Sequence, residues 1–389
     1  MSDPRLEHLA STWLAGRLSR RALALRLSIL GISASAFAAA LANRAELVAA
    51  QKASPTAGST DEIITAPDYA GQTLIVTSYG GTWEEFMRGE ILPPFEEATG
   101  ATIELAVGLS TDWMTKLRAA GADNPPYDVV IANETYISTG RLGGFFDPLP
   151  IDRIPNLENI DASLRLPDDV GVFALVAPIG LGSMTEVTTI DAAPSWLDFA
   201  SYLPGLGIYN IKNSAAAQHI MMTAEVVTGD YKDWEPGFDW IRDNLRDAKQ
   251  SDFSGDMETL LTTGEISVGM LDSPAVARLS GQEIPIAWSG PEEGLLMFEQ
   301  NTNITTGSKV KDLAYSFVNY WLGPDVQTKF AEAYFWTPGN VTVEIPESLA
   351  AAIPVTRDNL DRMKHWDYEW LNSGPREEMI QRWNREMTF

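Results

Sequence analysis

The chain has 389 residues with 53 acidic against 28 basic side chains, a formal net charge of −25, and that length suits two globular units better than one core. Its first fifty residues hold six arginines and three acids, leaving 22 basic against 50 acidic residues, a net −28, for the rest. So acidic a body repels nucleic acid and anionic lipid; it fits a cationic or zwitterionic small partner, or serves solubility alone. With no cysteine, and only His8, His219 and His365 as histidines, disulfides, a lipid-bearing cysteine, thiolate metal sites and histidine-rich metal centres drop out. A Ser-His-Asp triad has no recognisable setting.

Residues 1–50 read as an export signal. The pair Arg20-Arg21 precedes an apolar run from Leu27 to Ala42, shorter than the ~20 residues that span a bilayer core and closed by small residues suited to a peptidase. "SRRALAL" at Ser19–Leu25 resembles the twin-arginine signal, with Arg26 as a departure that delays the apolar core. Cleavage is expected after Ala42 or near Ala50, the alternative being an uncleaved helix or anchor. Residues 51–70, rich in Ala, Ser, Thr, Pro and Gly without apolar period, read as a flexible tether.

From Gly71 onward strand and helix signals alternate. "TLIVTSY" predicts a buried strand, Gly80-Gly81 a turn, and Trp83, Phe86 and Met87 a helix that Pro93-Pro94 interrupts. Trp83, Phe86 and Trp113 read as core at helical spacing. "TIELAV" (Thr102 to Val107) is a second strand, and Ser110-Thr111-Asp112 opens a helix with Trp113, Met114 and Leu117 inward, ended at Gly121. "YDVVIAN" is a third strand that delivers Asn133, Glu134 and Thr135 at its carboxyl end. Strands separated by such helices imply parallel pairing in an α/β sheet, whose ligands bind beyond the carboxyl ends of the strands. Tyr79, Gly80 and Gly81 therefore share a rim with Asn133 to Thr135. The glycines there either cradle a phosphate or make a tight turn beside a functional Tyr79. No Lys-Ser/Thr follows them and no three-glycine fingerprint is present, which weakens the first use.

"VFALVAPIGLGSMTEV" (Val172 to Val187) predicts an extended crossing between lobes. "PSWLDFA" is a helix, "GLGIYN" a strand, "AAAQHIMMTAEVV" a helix, and "ISVGMLDSPAVARLS" a strand, turn and helix with Asp272 at the strand's end. "LLMFEQNTNIT" (Leu295 to Thr305) predicts the return crossing. Two helices broken at Gly323-Pro324 follow, then an amphipathic C-terminal helix that leaves Trp366 or Tyr368 in reach of the cleft. No internal repeat stands out.

In order and spacing, "PPFEEATGATIEL", "YDVVIAN", "PSWLDF", "GEISVGM", "AYSFVNYWLGPDVQTKFAE" and "WTPGN" resemble the extracellular solute-binding proteins of ABC importers, and most of all their spermidine/putrescine-binding branch. The resemblance runs from about Gly71 to the C-terminus. It implies a type II periplasmic-binding-protein fold of two α/β lobes joined by crossing segments, with lobe 1 at 71–176 plus about 300–340, lobe 2 at 177–299, and C-terminal helices at 341–389. It implies a monomer in the periplasm or exported cell-surface space that closes on a small amine or zwitterion and docks on a membrane permease, with no enzyme chemistry and no cofactor. Tyr79 stands at the family's ligand-stacking aromatic, and Glu299 at an acid that pairs with a ligand amine. Met297 replaces an aromatic, Asp272 a tryptophan, and Asn133, Glu134 and Thr135 the family's hydroxyl and aromatic residues. The second-lobe acidic pair is replaced by "IKNSAAAQ", so Asn213 and Ser214, with Lys212, offer a helix start for a ligand carboxylate. A site with fewer carboxylates suits a smaller amine or a zwitterion, because unpaired buried ammonium groups are costly. The other readings are a secreted α/β enzyme using Asp272 and Glu299 as paired acids, and a ferric-iron receptor, for which no adjacent tyrosine pair occurs.

Overall fold

The computed structural model describes residues 68–387 apart from Ala192 and Ala351; the expected export signal and all but the last three residues of the tether lie outside them. The first parallel unit comprises β1 (Thr73–Ser78), α1 (Thr82–Phe86), a π-turn at Met87–Ile91, α2 (Leu92–Thr99), β2 (Thr102–Val107), α3 (Ser110–Ala120), β3 (Val129–Asn133) and α4 (Glu134–Leu142). Pro93 and Pro94 do not end a helix as expected. They occupy the first turn of α2, where a missing N–H leaves no bond unmade. β1 pairs with β2 from Thr73↔Thr102 to Ser78↔Val107 and with β3 at Val76↔Val129.

Beyond β4 (Phe146–Asp147) and β5 (Val172–Met184), a second parallel unit follows: β6 (Leu206–Tyr209), α5 (Ser214–Thr228), α6 (Trp234–Leu245), β7 (Lys249–Ser251), α7 (Ser254–Thr262), β8 (Val268–Asp272) and α8 (Ser273–Gly281). Its strands pair at Gly207↔Lys249 and Leu206↔Val268. The described chain is completed by β9 (Ile286–Ser289), β10 (Leu296–Thr305), α9 (Lys311–Trp321), α10 (Pro324–Tyr334), β11 (Thr337–Pro338), α11 (Glu347–Ala350), α12 (Tyr368–Asn372) and α13 (Pro375–Glu386).

The sheet runs β2-β1-β3-β10-β5-β8-β6-β7. β5 and β10, the two extended crossings, pair antiparallel from Leu296↔Ile179 to Thr302↔Val172 and knit the two parallel units together. Along β5, Leu175 and Val176 belong to the first lobe's core, whereas Ile179 and Leu181 belong to the second. β10 divides the same way, Met297 going to the first core and Leu296 to the second. The chain changes core once more between Met363 and Trp366, after which Leu371, Met379 and Trp383 all join the second lobe. The result is a two-lobed α/β fold with three thin connections.

The lobes repeat one device that the sequence does not advertise. In each, the first strand of the parallel unit leads into a tyrosine, Tyr79 just past β1 and Tyr209 ending β6. In each, the outer strand leads through an apolar residue to a serine that starts a helix, Leu109-Ser110 and Phe253-Ser254. The serine hydroxyl meets the tyrosine hydroxyl, at 2.8 Å for Ser110–Tyr79 and 2.9 Å for Ser254–Tyr209. The third strand ends in an Asx that caps the next helix, Asn133 or Asp272.

Candidate ligand-binding cleft

The first lobe's rim is set by the turn after β1. Gly81 takes a φ of 68° as it enters α1, a left-handed conformation that glycine adopts without penalty. A side chain at Gly80 would lie 3.2 Å from Val107 Cγ1. These are the demands of a tight turn. Tyr79 is half-buried, its ring tilted against Trp113 at 5.2 Å and edge-on to Trp83 at 6.3 Å. Burial raises its phenol pKa while hydrogen bonds to Ser110 and Gln300 pull the other way, so the hydroxyl stays neutral. Trp113 is core, as expected; Trp83 and Phe86 are only partly covered, and the Trp83 ring lies tilted against Trp336 at 5.9 Å.

At the tip of β3, Asn133 Oδ1 accepts from Thr135 N at 3.1 Å and caps α4, and Asn133 N reaches Ser110 Oγ at 3.4 Å. Tyr79, Ser110 and Asn133 are thus brought together. Glu134 departs from its expected role as a free rim carboxylate. It is buried and gripped by both terminal nitrogens of Arg141, two turns along the same helix face. Burial lowers that guanidinium pKa to about 10, with Glu369 opposing the shift. The pair lines a cavity of about 640 Å³ between α4, the loop with Arg165 and Asp168, and the segment from His365 to Glu369. Trp366 and Tyr368, expected in reach of the cleft, line this cavity. Thr135 is wholly buried and its Oγ1 has no partner.

Met297 also departs from expectation. Its side chain is fully buried in the first core, and its peptide N–H and C=O both bond the Gln218 side chain, at 3.2 and 2.9 Å. Alternation along β10 turns it inward, since Leu296 before it faces the other lobe. Glu299 stands opposite Val176 on β5 by backbone register; its side chain lies outside the described residues. Gln300, opposite Asn133, is buried with Oε1 unpartnered.

Across the cleft, Asn213 Oδ1 caps α5 by accepting from Ala215 N at 2.9 Å, and its amide donates to Asp252 O at 3.0 Å. Ser214 begins that helix half-buried. Lys212 is not free for a ligand carboxylate, because its ammonium pairs with Asp252 at 2.9 Å. Asp272 caps α8 through Ala275 N at 2.9 Å; burial raises its carboxyl pKa, and Arg278 lowers it. Arg278 bonds Glu258 at 2.9 Å, and burial likewise raises the Glu258 pKa. Burial raises the Tyr334 phenol pKa on α10 of the first lobe, and its hydrogen bond to Thr82 and the charge of Arg278 oppose the shift.

Sequence reasoning missed Ser110, Tyr209, Asp252, Ser254, Glu258 and Arg278. The available signal was the match between "LSTD" at Leu109–Asp112 and "FSGD" at Phe253–Asp256, each an apolar residue, a serine and a later aspartate after an outer strand. Among the described residues no three His, Asp or Glu side chains group to hold a metal ion, and no helix is long and apolar enough to cross a membrane.

Residues 90–354 match the family model described as bacterial extracellular solute-binding protein. The spermidine/putrescine-binding periplasmic protein of Escherichia coli is 22% identical over 277 residues, 68% of this chain and 78% of that one. The crystal structure of an ABC transporter protein from Clostridium perfringens superposes with a TM-score of 0.71 at 25% identity, covering 81% of this chain and all of the other. An ABC transporter substrate-binding protein from Bradyrhizobium japonicum gives 0.66 at 20% identity over 82% of this chain and all of that one.

Proposed function

Because the chain belongs to the bacterial extracellular solute-binding proteins, we propose that it captures a small amine-bearing solute in the cleft between its lobes and hands it to its membrane permease. It is the substrate-binding component of an ABC transporter. The observation that carries the amine is the charge balance of the second lobe's rim: Asp252 pairs with Lys212 and Glu258 with Arg278, while the buried Asp272 has no ion pair of its own among the described residues. One carboxylate is left in excess, and a ligand ammonium supplies its partner at little desolvation cost. The name of the E. coli relative supports the same chemistry. Tyr79 offers the ring for the carbon chain, and Glu299 on the crossing strand a further carboxylate. Asn133, Asn213 and Ser214 complete the rims, while Thr135, like Glu134, is withdrawn.

A second reading, a zwitterion such as an amino acid, rests on Arg278: its Nη2 bonds Glu258, and the remaining N–H groups of a guanidinium, which carries five, can meet a ligand carboxylate. Titration calorimetry with putrescine, spermidine, 4-aminobutyrate and a choline-like cation separates the two. Glu299→Gln is expected to weaken the best ligand by about 3 to 5 kcal/mol, roughly two to three decades, and Tyr79→Ala by less, about 1 to 3 kcal/mol. If Glu299→Gln binds as tightly as the parent, the amine reading is wrong while the family assignment stands.

A further inference from the structure

The third connection leads into α12 and α13, which are fastened to the second lobe. Asp367 caps α12 by accepting from Trp370 N at 2.9 Å and pairs with Lys232 at 2.7 Å. Leu371 of α12, and Met379 and Trp383 of α13, are buried in the second core. α4 belongs to the other lobe, where its Ile137 packs with Trp113 and Val130. Yet the two pieces touch. The Asn372 amide at the end of α12 donates to Thr135 O and to Ser138 Oγ, both at 2.8 Å, so both sides of that amide's donor group reach into the first lobe. Beside it, the Arg376 guanidinium at the start of α13 lies 5.0 Å over the Tyr136 ring.

What they hold adjoins the binding rim. Thr135 N donates to Asn133 Oδ1 at 3.1 Å, Asn133 N reaches Ser110 Oγ at 3.4 Å, and Ser110 Oγ meets the Tyr79 hydroxyl at 2.8 Å. A run of hydrogen bonds therefore leads from a second-lobe side chain to the aromatic ring on the first lobe's rim. Hydrogen bonds weaken steeply as their angle falls, and a cation is held by a ring only within about 6 Å of its centre. β5, β10 and the third connection can bend when the lobe angle changes. A movement of α4 against α12 breaks this fourth, noncovalent link.

We propose that Asn372 and Arg376 are positioning residues for the cleft: they latch α4 to the second lobe, fix the lobe angle of the ligand-free receptor and, through Thr135 and Asn133, hold Tyr79 in register with the opposite rim. The effect on binding rests on the receptor function proposed above; the latch itself does not. Without the latch only a fraction of the molecules holds the competent angle, and the apparent affinity falls by that fraction.

The chain has no cysteine of its own, so Lys116→Cys with Thr262→Cys, at exposed positions of α3 and α7, places one spin label on each lobe of the full chain. Double electron–electron resonance of the ligand-free protein should give a narrow distance distribution. Asn372→Asp keeps the size of the side chain and removes both N–H donors, and should broaden the distribution to about twice its width. Arg376→Gln should broaden it too, whereas Arg376→Lys, which keeps a cation for the ring, should leave it narrow. Calorimetry with putrescine, spermidine and 4-aminobutyrate should show the tightest of them weakened about fivefold or more by Asn372→Asp. A contact that serves stability alone would lower the melting temperature and leave the distances as they are. Unchanged distances in both Asn372→Asp and Arg376→Gln would overturn the latch. Broader distances with unchanged affinity would overturn the positioning of the cleft. If none of the three solutes binds the parent, the amine reading falls while the ligand-free distances still decide the latch.

Discussion

His219 lies wholly buried in the second lobe with both ring nitrogens unpartnered, against the rings of Trp196 at 5.3 Å and Phe199 at 5.5 Å. Burial lowers its pKa from 6.5 to about 3. Between these values the unfolded chain takes up a proton that the folded chain refuses, so stability falls as pH falls through that window, by up to about 1.4 kcal/mol per pH unit. His365, also lowered by burial, acts in the same direction. His219→Leu removes the titration and two unsatisfied polar atoms, and is expected to raise stability at pH 7 by roughly 1 to 3 kcal/mol. Urea unfolding at pH 7 and pH 5 checks this: the parent should lose more stability between the two than the variant. Equal losses would mean that the ring titrates normally in the fold.

At the scale of the element, Asn133, Asn213 and Asp272 each end or follow a strand and cap the next helix. For Asp272 the cap and the charge can be separated. Asp272→Asn keeps an acceptor for Ala275 N and deletes a carboxylate whose ionised form is disfavoured by burial, so its melting temperature should equal or exceed the parent's, with weaker binding of an amine. Asp272→Ala loses the cap and should cost about 1 kcal/mol of stability, read by thermal unfolding. A melting temperature for Asp272→Asn as low as that for Asp272→Ala would refute the separation. The strand ends and caps were legible in sequence because they depend on neighbours within a few residues. The fates of Glu134 and Met297 were not. Glu134 is removed from the rim by Arg141, whose alignment with it depends on how far α4 runs, and Met297 by strand alternation whose phase is fixed only once β10 pairs with both β3 and β5. Likewise Glu258 and Arg278 lie on separate helices, and only the packing of α7 and α8 against β8 brings them together.

For the whole molecule, three connections between two cores make a hinge the softest mode. Small-angle scattering of the mature protein should show the radius of gyration contracting when ligand saturates the cleft, because binding groups are divided between the lobes. An unchanged profile at saturation would mean that this chain binds without closing. Helix α5 stands at the centre of any such motion. Its Gln218 side chain bonds the peptide of Met297 on β10 and also receives Trp366 Nε1 at 3.2 Å from the third connection, while its first turn carries Asn213 and Ser214 at the cleft.

The division of the cores also fixes an order of assembly. Most of the second core comes from the unbroken run 196–286, whereas the first joins β1 and β3 to β10 and to α9 and α10, with β3 and β10 some 170 residues apart and β1 further still. Closing the longer loop carries the larger entropy and the slower rate. The second lobe should therefore gather first and offer β5 as a template on which the ends of the chain meet. Pulse-labelled hydrogen exchange during refolding would show amides of β6, β7 and β8 protected before those of β3 and β10; simultaneous protection would mean that the sheet forms as one unit.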